Sequence, residues 1–264
     1  MELFDPRGGS NRYKCQLDFF KNWSNEMAYV LGFLYADGDI VDAISSRTQY
    51  IKFSSKDREI IDKIKSVLKA EHPIHNWPAH LSLHANGKIY KSAESFFMRI
   101  GSRRVFADLK NLGLKPNKSK TMKFPEVPLK YVSHFIRGYF DGDGTIFLGT
   151  RGSGKDIPVL ERAIIIFSCG SKKFIRALSN ILAEDVNVKI ANIYNSTRCF
   201  QISYGTKASI EIFKFMYHNS KGLFLKRKFD TFGRFFNQRS QWSDQEILDI
   251  FDNAHHYLAT YPNR

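Results

Sequence analysis

Several kinds of feature are scarce or missing in this chain of 264 residues. It has only three cysteines, Cys15, Cys169 and Cys199, and no Cys-x-x-Cys pair, which argues against a disulfide framework and a zinc site. No apolar run reaches the ~18 residues that a membrane-spanning helix needs. Because the first residues also lack the apolar core of a signal peptide, we expect a reducing intracellular compartment, either a bacterial cytoplasm or an organelle.

Signatures of nucleotide binding and of nucleophilic catalysis are missing as well. GTRGSGKD (149–156) approaches a phosphate-binding loop, but Asp156 stands where a Ser or Thr would bind Mg²⁺, and no helix is predicted after it. We interpret this segment as a hairpin tip whose Arg151 and Lys155 contact phosphate. The sequence has no Ser/His/Asp or Cys/His arrangement, and prolines interrupt the histidines of residues 72–84, which argues against a zinc site there.

Positive charge, in contrast, is in excess. The chain has 40 Lys and Arg residues against 26 Asp and Glu residues, which gives a net charge of +14 at pH 7. The basic residues are spread along the sequence and form no separate tail. A folded, basic protein of this kind indicates a polyanionic partner, and nucleic acid is favoured over an acidic membrane or protein.

A short segment occurs twice, about half the chain apart. VLGFLYADG (30–38) and IRGYFDGDG (136–144) align so that Gly32 matches Gly138 and Asp37 matches Asp143. Four matches in the same order indicate a duplication into two similar domains. The three further matches are IKFSSKD (51–57) with IIFSCGS (165–171), IGSR (100–103) with YGTK (204–207), and PNKSK (116–120) with KRKFD (226–230).

Each copy is predicted to fold as a helix, two strands, a helix, two strands and a helix. Ser24 is the predicted N-cap of the first helix, apolar residues at helical spacing predict the second helices, and alternating residues predict the strands. In copy two, residues 188–194 and 199–204 are predicted to form the second hairpin. The predicted divisions are a leader (1–23), two domains (24–124 and 125–240) and a C-terminal helix (241–264).

Small residues recur at helical spacing in both segments. Gly32 and Gly138 each have a second small residue four positions later, and this spacing lets two helix backbones approach closely. We therefore expect the two motif helices to pack on each other. We also expect Gly38 and Gly144 to end them in the left-handed conformation.

The aspartates of the two segments then fall in the last helical turns. There a carboxylate faces the negative end of the helix dipole, and two paired carboxylates also repel each other. Hard divalent ions such as Mg²⁺ bind carboxylate and carbonyl oxygens and would remove this penalty. The pattern therefore predicts metal ions bound by Asp37 and Asp143; the alternative is that each aspartate only closes an Asp-Gly turn.

The two segments resemble the paired LAGLIDADG motifs of homing endonucleases, and the likeness extends from about residue 24 to residue 240. Copy one departs at the sixth position, where Tyr35 replaces the usual Asp, whereas copy two keeps Asp141. The resemblance implies an α+β fold of two pseudo-symmetric αββαββα domains, with the motif helices packed at their interface and antiparallel sheets forming a DNA-binding saddle. It also implies a monomer with internal pseudo-two-fold symmetry that acts on double-stranded DNA and not at a membrane.

The activity that the resemblance implies is hydrolysis of both strands of a long duplex target. The cofactor would be Mg²⁺ or another divalent cation, such as Mn²⁺, or Ca²⁺ in a non-cleaving state. The backbone carbonyls of Ala36 and Gly142 would complete the metal coordination by Asp37 and Asp143. The family also places a lysine after the third helix of each domain and a polar residue near each site. The corresponding residues here are Lys118 (with Lys120 as the alternative), Lys228, Ser55 and Cys169.

Base reading is expected on the polar faces of the strands. In TQYIKFS (48–54), Ile51 and Phe53 are expected to point inward, so their neighbours face outward. Side chains on a two-stranded ribbon in the major groove can form hydrogen bonds with base edges. The predicted DNA-reading residues are Thr48, Tyr50 and Lys52 in copy one, and Asn192, Tyr194, Gln201 and Ser203 in copy two.

Two other functions are compatible with the same scaffold. One is an intron maturase that binds structured RNA, and the other is a non-cleaving DNA-binding regulator. Loss of either motif aspartate would favour these alternatives, and both aspartates are present.

Overall fold

The computed structural model describes residues 13–43, 48–83, 87–151, 159–238 and 244–260. Backbone contacts divide the chain into one unit of residues 1–23 and 37–117 and a second unit of residues 24–36 and 118–264. This division places the first motif helix in the second unit, whereas the domain boundary at residue 124 follows the sequence repeat and stays a prediction. Within the described ranges, no helix has the length and apolar character needed to span a membrane.

The first unit is built on a four-stranded antiparallel sheet with strand order β1-β2-β6-β3. Helices α2 and α3 pack against its central strands, and an additional hairpin, β4–β5, is inserted between β3 and β6. Ile51 and Phe53 of β2 and Met98 of β6 are buried, because alternate residues of each strand face the helices. The elements are β1 (Asp39–Ala43), β2 (Thr48–Ser55), α2 (Arg58–Val67), β3 (Ile74–Trp77), β4 (His80–Leu83), β5 (Ile89–Ser92), β6 (Ser95–Gly101) and α3 (Arg103–Asn111).

The second unit repeats this strand order as β7-β8-β10-β9. It also contains the first motif helix as far as Ala36, a short 3₁₀ helix (Lys118–Lys120) and a C-terminal helix that packs on α6. The helices are α1 (Asn25–Asp37), α4 (Leu129–Asp143), α5 (Lys172–Val186), α6 (Thr206–Tyr217), α7 (Lys226–Asn237) and α8 (Gln245–Thr260). The strands are β7 (Gly144–Arg151), β8 (Val159–Cys169), β9 (Tyr194–Ser196) and β10 (Cys199–Tyr204).

The predicted strand at residues 188–194 is mostly wrong, because only Tyr194–Ser196 forms β9. Asn187 ends α5 in the left-handed conformation, with φ 56°. The N–H of Ala191 then donates to Ser179 Oγ of α5 at 2.8 Å. This segment therefore lies against its own helix and takes no part in the strand ladder.

The two motif helices contact each other backbone to backbone. A Cβ on Gly32 of α1 would lie 2.0 Å from the carbonyl oxygen of Phe135, and a Cβ on Gly138 of α4 would lie 2.0 Å from that of Tyr29. The contact is reciprocal, as expected for a pair related by pseudo-two-fold symmetry. The prediction of close packing is confirmed, as is the N-cap, because Ser24 Oγ accepts a hydrogen bond from the N–H of Met27 at 3.0 Å.

This helix pair also explains the departure at the sixth motif position. The hydroxyl of Tyr29 donates to Oδ2 of Asp141 at 2.7 Å. Tyr35, at the position equivalent to Asp141, packs edge-on against Phe135, at the position equivalent to Tyr29, with ring centroids 5.3 Å apart. A hydrogen-bonded pair and an aromatic pair thus occupy equivalent places, and Tyr35 is a buried core residue.

The prediction that Gly38 and Gly144 adopt the left-handed conformation is wrong. Neither is among the described glycines with positive φ, and Gly144 is extended, with φ −82° and ψ 161°, because α4 continues directly into β7. Glycine is needed at 144 for space, since a Cβ would lie 2.2 Å from Cδ2 of Phe140. The carbonyls that a left-handed turn would cap are bound by Lys228 instead.

We expect Gly32→Ala and Gly138→Ala each to lower the free energy of unfolding by about 1–3 kcal/mol or more, because the added methyl group meets backbone atoms that cannot move aside. Urea unfolding followed by circular dichroism measures the change. Gly205→Ala is the control, because its Cβ would meet nothing within 4 Å. It should change stability by less than about 1 kcal/mol. Equal losses in all three variants would contradict the packing role of the motif glycines.

Candidate functional site

Both motif aspartates are the last residues of their helices. Asp37 ends α1 and is exposed, and Asp143 ends α4 and is half-buried. Asp37 belongs to the first unit and Asp143 to the second. Each carboxylate follows the carbonyls that carry the partial negative charge of the helix end, so each helix ends in a group of oxygen donors.

The buried ammonium of Lys228 binds the last turn of α4. Its Nζ donates to the carbonyl oxygens of Gly144 at 2.6 Å and of Asp141 at 2.8 Å, and also to that of Phe140. The carbonyl of Gly142 lies further away, at 3.3 Å. Lys228 therefore adds a donor to the carbonyls at the end of α4, and its charge stabilises the negative end of the helix dipole.

The residues at the end of α4 fit a magnesium ion. An ammonium has three N–H groups, and Gly142 is the most distant of the four carbonyls around Lys228, so its oxygen is the least engaged. This oxygen and the Asp143 carboxylate are hard donors, and Mg²⁺ is commonly held by one or two carboxylates, water and substrate phosphates. Among the described residues, no three or more His, Cys, Asp or Glu side chains form a metal-binding group.

Asp141 is buried behind this helix end and has a structural role. Its Oδ2 accepts hydrogen bonds from the Tyr29 hydroxyl at 2.7 Å and from the N–H of Leu225 at 2.8 Å. Burial is the largest influence on the pKa of Asp141 and raises it, whereas the charge of Lys228 and these two hydrogen bonds act in the opposite direction. Asp141 thereby fixes the residue that immediately precedes α7, the helix that carries Lys228.

Arg137, one helical turn before Asp141, binds the end of α6 and the loop between α6 and α7. Its Nε donates to the carbonyl of Leu223 at 3.0 Å, and its Nη1 donates to that of Met216 at 2.6 Å. Its guanidinium also lies over the ring of Tyr29, 5.1 Å from the centroid. Arg137 is only 1% exposed, so these contacts replace the water that a guanidinium would otherwise bind.

His134 is the third buried polar residue of α4. Its Nδ1 lies 2.9 Å from Nη1 of Arg137, and because a guanidinium can only donate, Nδ1 is the acceptor. Burial, followed by the charge of Arg137, lowers the pKa of His134 to about 3. His134 is therefore neutral at physiological pH, with its proton on Nε2.

Ser55 and Cys169, the two predicted polar residues near the site, close equivalent turns. Ser55 Oγ accepts a hydrogen bond from the N–H of Asp57 at 3.1 Å, and Cys169 Sγ accepts one from the N–H of Ser171 at 3.2 Å. Both turns lead from a strand into a helix. Burial raises the pKa of the Cys169 thiol, with a smaller contribution in the same direction from Asp143.

Lys118 lies in the short 3₁₀ helix, and its side chain is buried, whereas Lys120 is exposed. Lys118 is the first residue of the second segment of the second unit. The 3₁₀ helix lies close to the turn between β8 and α5, where a Cβ on Gly170 would be 2.4 Å from the carbonyl oxygen of Ser119. Lys118 is thus placed beside the turn that contains Cys169.

The predicted DNA-reading residues of the first unit lie on the sheet face opposite its core. Tyr50 and Lys52 are half-buried and alternate with the buried Ile51 and Phe53. Arg99 on β6 is the cross-strand partner of Lys52 and was not among the residues predicted from the sequence. The alternation of β6, where the exposed Arg99 lies between two buried residues, is the signal that would have indicated it.

In the second unit the structure brings three of the four predicted residues onto one pair of strands. Tyr194 of β9 is the cross-strand partner of Gln201 of β10, and Ser203 is exposed two residues further along β10. The side-chain amide of Gln201 donates to Ser168 Oγ at 3.1 Å. Asn192 precedes β9 in a segment without regular structure and is exposed.

Three predicted phosphate- or base-contacting residues lie wholly or partly outside the described residues. Thr48 begins β2 and Arg151 ends β7, but their side chains lie outside the described residues, as does all of Lys155.

Comparison with known proteins identifies the fold. Residues 130–214 match the LAGLIDADG-like domain family. The homing endonuclease I-WcaI bound to its DNA recognition sequence aligns with a TM-score of 0.53 and 16% identity, over 80% of this chain and 88% of that chain. The LAGLIDADG meganuclease I-CpaMI bound to uncleaved DNA aligns with a TM-score of 0.48 and 14% identity, over 92% and 100% of the two chains. No curated protein sequence matches this chain.

The resemblance to LAGLIDADG proteins that the two motifs indicated is therefore confirmed. The chain carries a LAGLIDADG-like domain in its second half and has the mixed α and β fold, with antiparallel sheets, of LAGLIDADG homing endonucleases.

Lys228→Met is expected to lower the free energy of unfolding by about 1–3 kcal/mol, because buried carbonyls at the end of α4 lose their donor. Lys226→Met is the matched control on the same helix, since Lys226 is half-exposed and pairs with Asp230 at i+4. It should cost less than about 1 kcal/mol. Chemical denaturation of the two variants measures the difference, and equal losses would show that Lys228 does not cap α4.

Acid should destabilise the protein through His134. The unfolded state binds a proton at His134 near pH 6.5 and the folded state only near pH 3. The free energy of unfolding therefore falls as pH drops through this window, by up to ~1.4 kcal/mol per pH unit. His134→Asn keeps an acceptor for Arg137 without a titrating group and should flatten this dependence. The exposed His255→Asn should not, and unfolding curves between pH 7 and pH 4 compare them.

Proposed function

We propose that this protein binds double-stranded DNA at a specific site and hydrolyses both strands with divalent metal ions. The observation that carries the proposal is the pair of helices in backbone contact at Gly32 and Gly138, each of which ends in an aspartate. The fold shared with DNA-bound I-WcaI supports it, and so does the net charge of +14.

Asp37 and Asp143 are the proposed metal ligands, together with the backbone carbonyls of Ala36 and Gly142. A bound Mg²⁺ supplies stabilisation of the phosphate charge and a lowered pKa for the attacking water. The protein's own contribution is to hold the oxygen donors in place before substrate arrives, which lowers the cost of reorganisation during the reaction. No covalent intermediate on a side chain is required.

Lys228 is, in this proposal, a positioning residue. Its ammonium is occupied by carbonyls of the last turn of α4, so it fixes the Gly142 oxygen and the helix end that carries Asp143. The resemblance implies a direct role for Lys228 in the chemistry, but its hydrogen bonds to the carbonyls at the end of α4 favour the indirect one. Lys118, with Lys120 as the alternative, is proposed to stabilise phosphate charge, and Ser55 to orient water.

The sheet faces are proposed to contact the DNA. Tyr50 and Lys52 of the first unit and Gln201 and Ser203 of the second present polar side chains of the kind that bind base edges in the major groove. Surrounding Lys and Arg residues would bind phosphates, so affinity should fall steeply with salt concentration. Because one chain supplies both motif aspartates, the proposed active form is a monomer.

Asp37→Asn and Asp143→Asn should each abolish double-strand cleavage and leave DNA affinity within about threefold, because the amide keeps the shape but removes the charge that binds the metal. Sites bound by the wild type are first selected from a randomised duplex library. Cleavage of a plasmid carrying a selected site is then compared in Mg²⁺ and in EDTA, with binding measured by gel shift.

Asp62→Asn provides the matched control, because Asp62 is a half-exposed residue of α2 that pairs with Arg58. It should cleave as the wild type does. Full cleavage by either motif variant would contradict the metal-ligand assignment. Binding of duplex DNA by the wild type without cleavage in any divalent metal would favour the regulator, and preferential binding of structured RNA would favour the maturase.

A further inference from the structure

The sheet of the first unit has one buried and one open face. Ile51, Phe53 and Met98 are buried against the helices, so the residues that alternate with them point the other way. Cross-strand pairing aligns Lys52 with Arg99 and Ser54 with Phe97 on this open side. We call this surface the cationic face and define it by Tyr50, Lys52, Phe97 and Arg99.

Arg99 is held between aromatic rings while remaining exposed. Its guanidinium carbon lies 4.4 Å from the ring centroid of Tyr50 and 5.9 Å from that of Phe97. The Phe97 ring is itself held by the His75 ring, with centroids 5.1 Å apart, and by Lys52, whose Nζ lies 5.0 Å from its centroid. Cation–π contacts of this kind restrict the guanidinium before any partner arrives, so less conformational freedom is lost on binding.

The charges of the cationic face are only partly balanced by the fold. Lys52 and Arg99 are directly opposite each other on neighbouring strands, and like charges in this position are destabilising. Asp39 of β1 is the cross-strand partner of Lys52 on its other side. Within the described ranges, neither Lys52 nor Arg99 forms an ion pair, so an anionic partner would relieve their repulsion.

The second unit has different chemistry at the corresponding positions. The sequence repeat and the strand register both match Lys52 with Ile166 and Arg99 with Ser203, which are again cross-strand partners. Phe97 corresponds to Gln201, whose amide donates to Ser168. This face therefore offers a neutral pair where the first unit offers two cations.

We propose that Arg99 determines sequence specificity by reading a guanine through its two major-groove acceptors. The inference rests on the proposed binding of duplex DNA and extends it to one residue and one base. A restrained planar guanidinium matches guanine O6 and N7 in a bidentate manner, whereas an ammonium acts as a point charge without this geometry. Lys52 at its side supplies attraction to phosphate, which carries no sequence information.

The test is selection of bound duplexes from a randomised library by the full chain in EDTA, where binding is measured without cleavage. Arg99→Lys keeps the charge and removes the planar pair of guanidinium donors. Arg99→Ser introduces the residue found at the equivalent position of the second unit. The control, Arg104→Ser, removes one exposed charge from α3 of the first unit. Circular dichroism and urea unfolding establish that each variant is folded.

The wild type is expected to select a guanine that both Arg99 variants no longer require. Preference for that guanine over the other bases should fall by roughly 10- to 100-fold, the discrimination typical of a bidentate contact. Arg104→Ser removes a charge on the helix side of the sheet and should keep the preference.

Two results would overturn the inference. If Arg99→Lys retains the full guanine preference, or if no selected guanine depends on residue 99, the bidentate reading is wrong while DNA binding stands. If the wild type selects no duplex at all, the proposed function fails, and the inference fails with it.

Discussion

The backbone contact between α1 and α4 at Gly32 and Gly138 is the constraint on which the second unit depends. It fixes the separation of α1 and α4 at a distance that no residue with a Cβ allows. At that separation the Tyr29 hydroxyl reaches Asp141 and the Tyr35 ring reaches Phe135. A wider spacing would leave Asp141 with one hydrogen-bond donor fewer in a buried environment, where an unsatisfied polar group is costly.

The buried polar residues of α4 belong to a set of contacts that starts on α4 and returns to it. Arg137 donates to the carbonyls of Met216 in α6 and of Leu223 in the loop that follows, and Asp141 accepts from the N–H of Leu225 at the end of that loop. That loop sets the start of α7, and Lys228 on α7 then binds the carbonyls at the end of α4. Because buried charges are tolerated only when they are paired and hydrogen-bonded, each member of this set depends on the others. The chain therefore buries charged side chains next to the end of α4, where they fix the position of the last helical turn.

The two units share a strand order but differ in the chemistry of their open faces. The strand order is β1-β2-β6-β3 in the first sheet and β7-β8-β10-β9 in the second, so the last strand of each unit lies between its second and third strands. The cores need only apolar residues of suitable volume, so both copies keep them. The open faces have diverged, with Lys52 opposite Arg99 in one and Ile166 opposite Ser203 in the other. A duplicated fold can thus present two chemically distinct surfaces, as a non-palindromic target would require.

Local patterns in the sequence determined most helices, most strands, the Ser24 cap and the close packing at Gly32 and Gly138. Each of these depends on residues within a few positions, whose spacing follows the helical or strand period. The tertiary structure alone decided that Lys228 caps α4, that Gly144 is extended, and that residues 188–193 leave the sheet. The reason is physical: the Lys228 bonds join residues 84–88 positions apart, and such contacts exist only after packing brings those residues together. The aromatic contacts of Arg99 could not be predicted from local patterns either, because its partners come from two different strands.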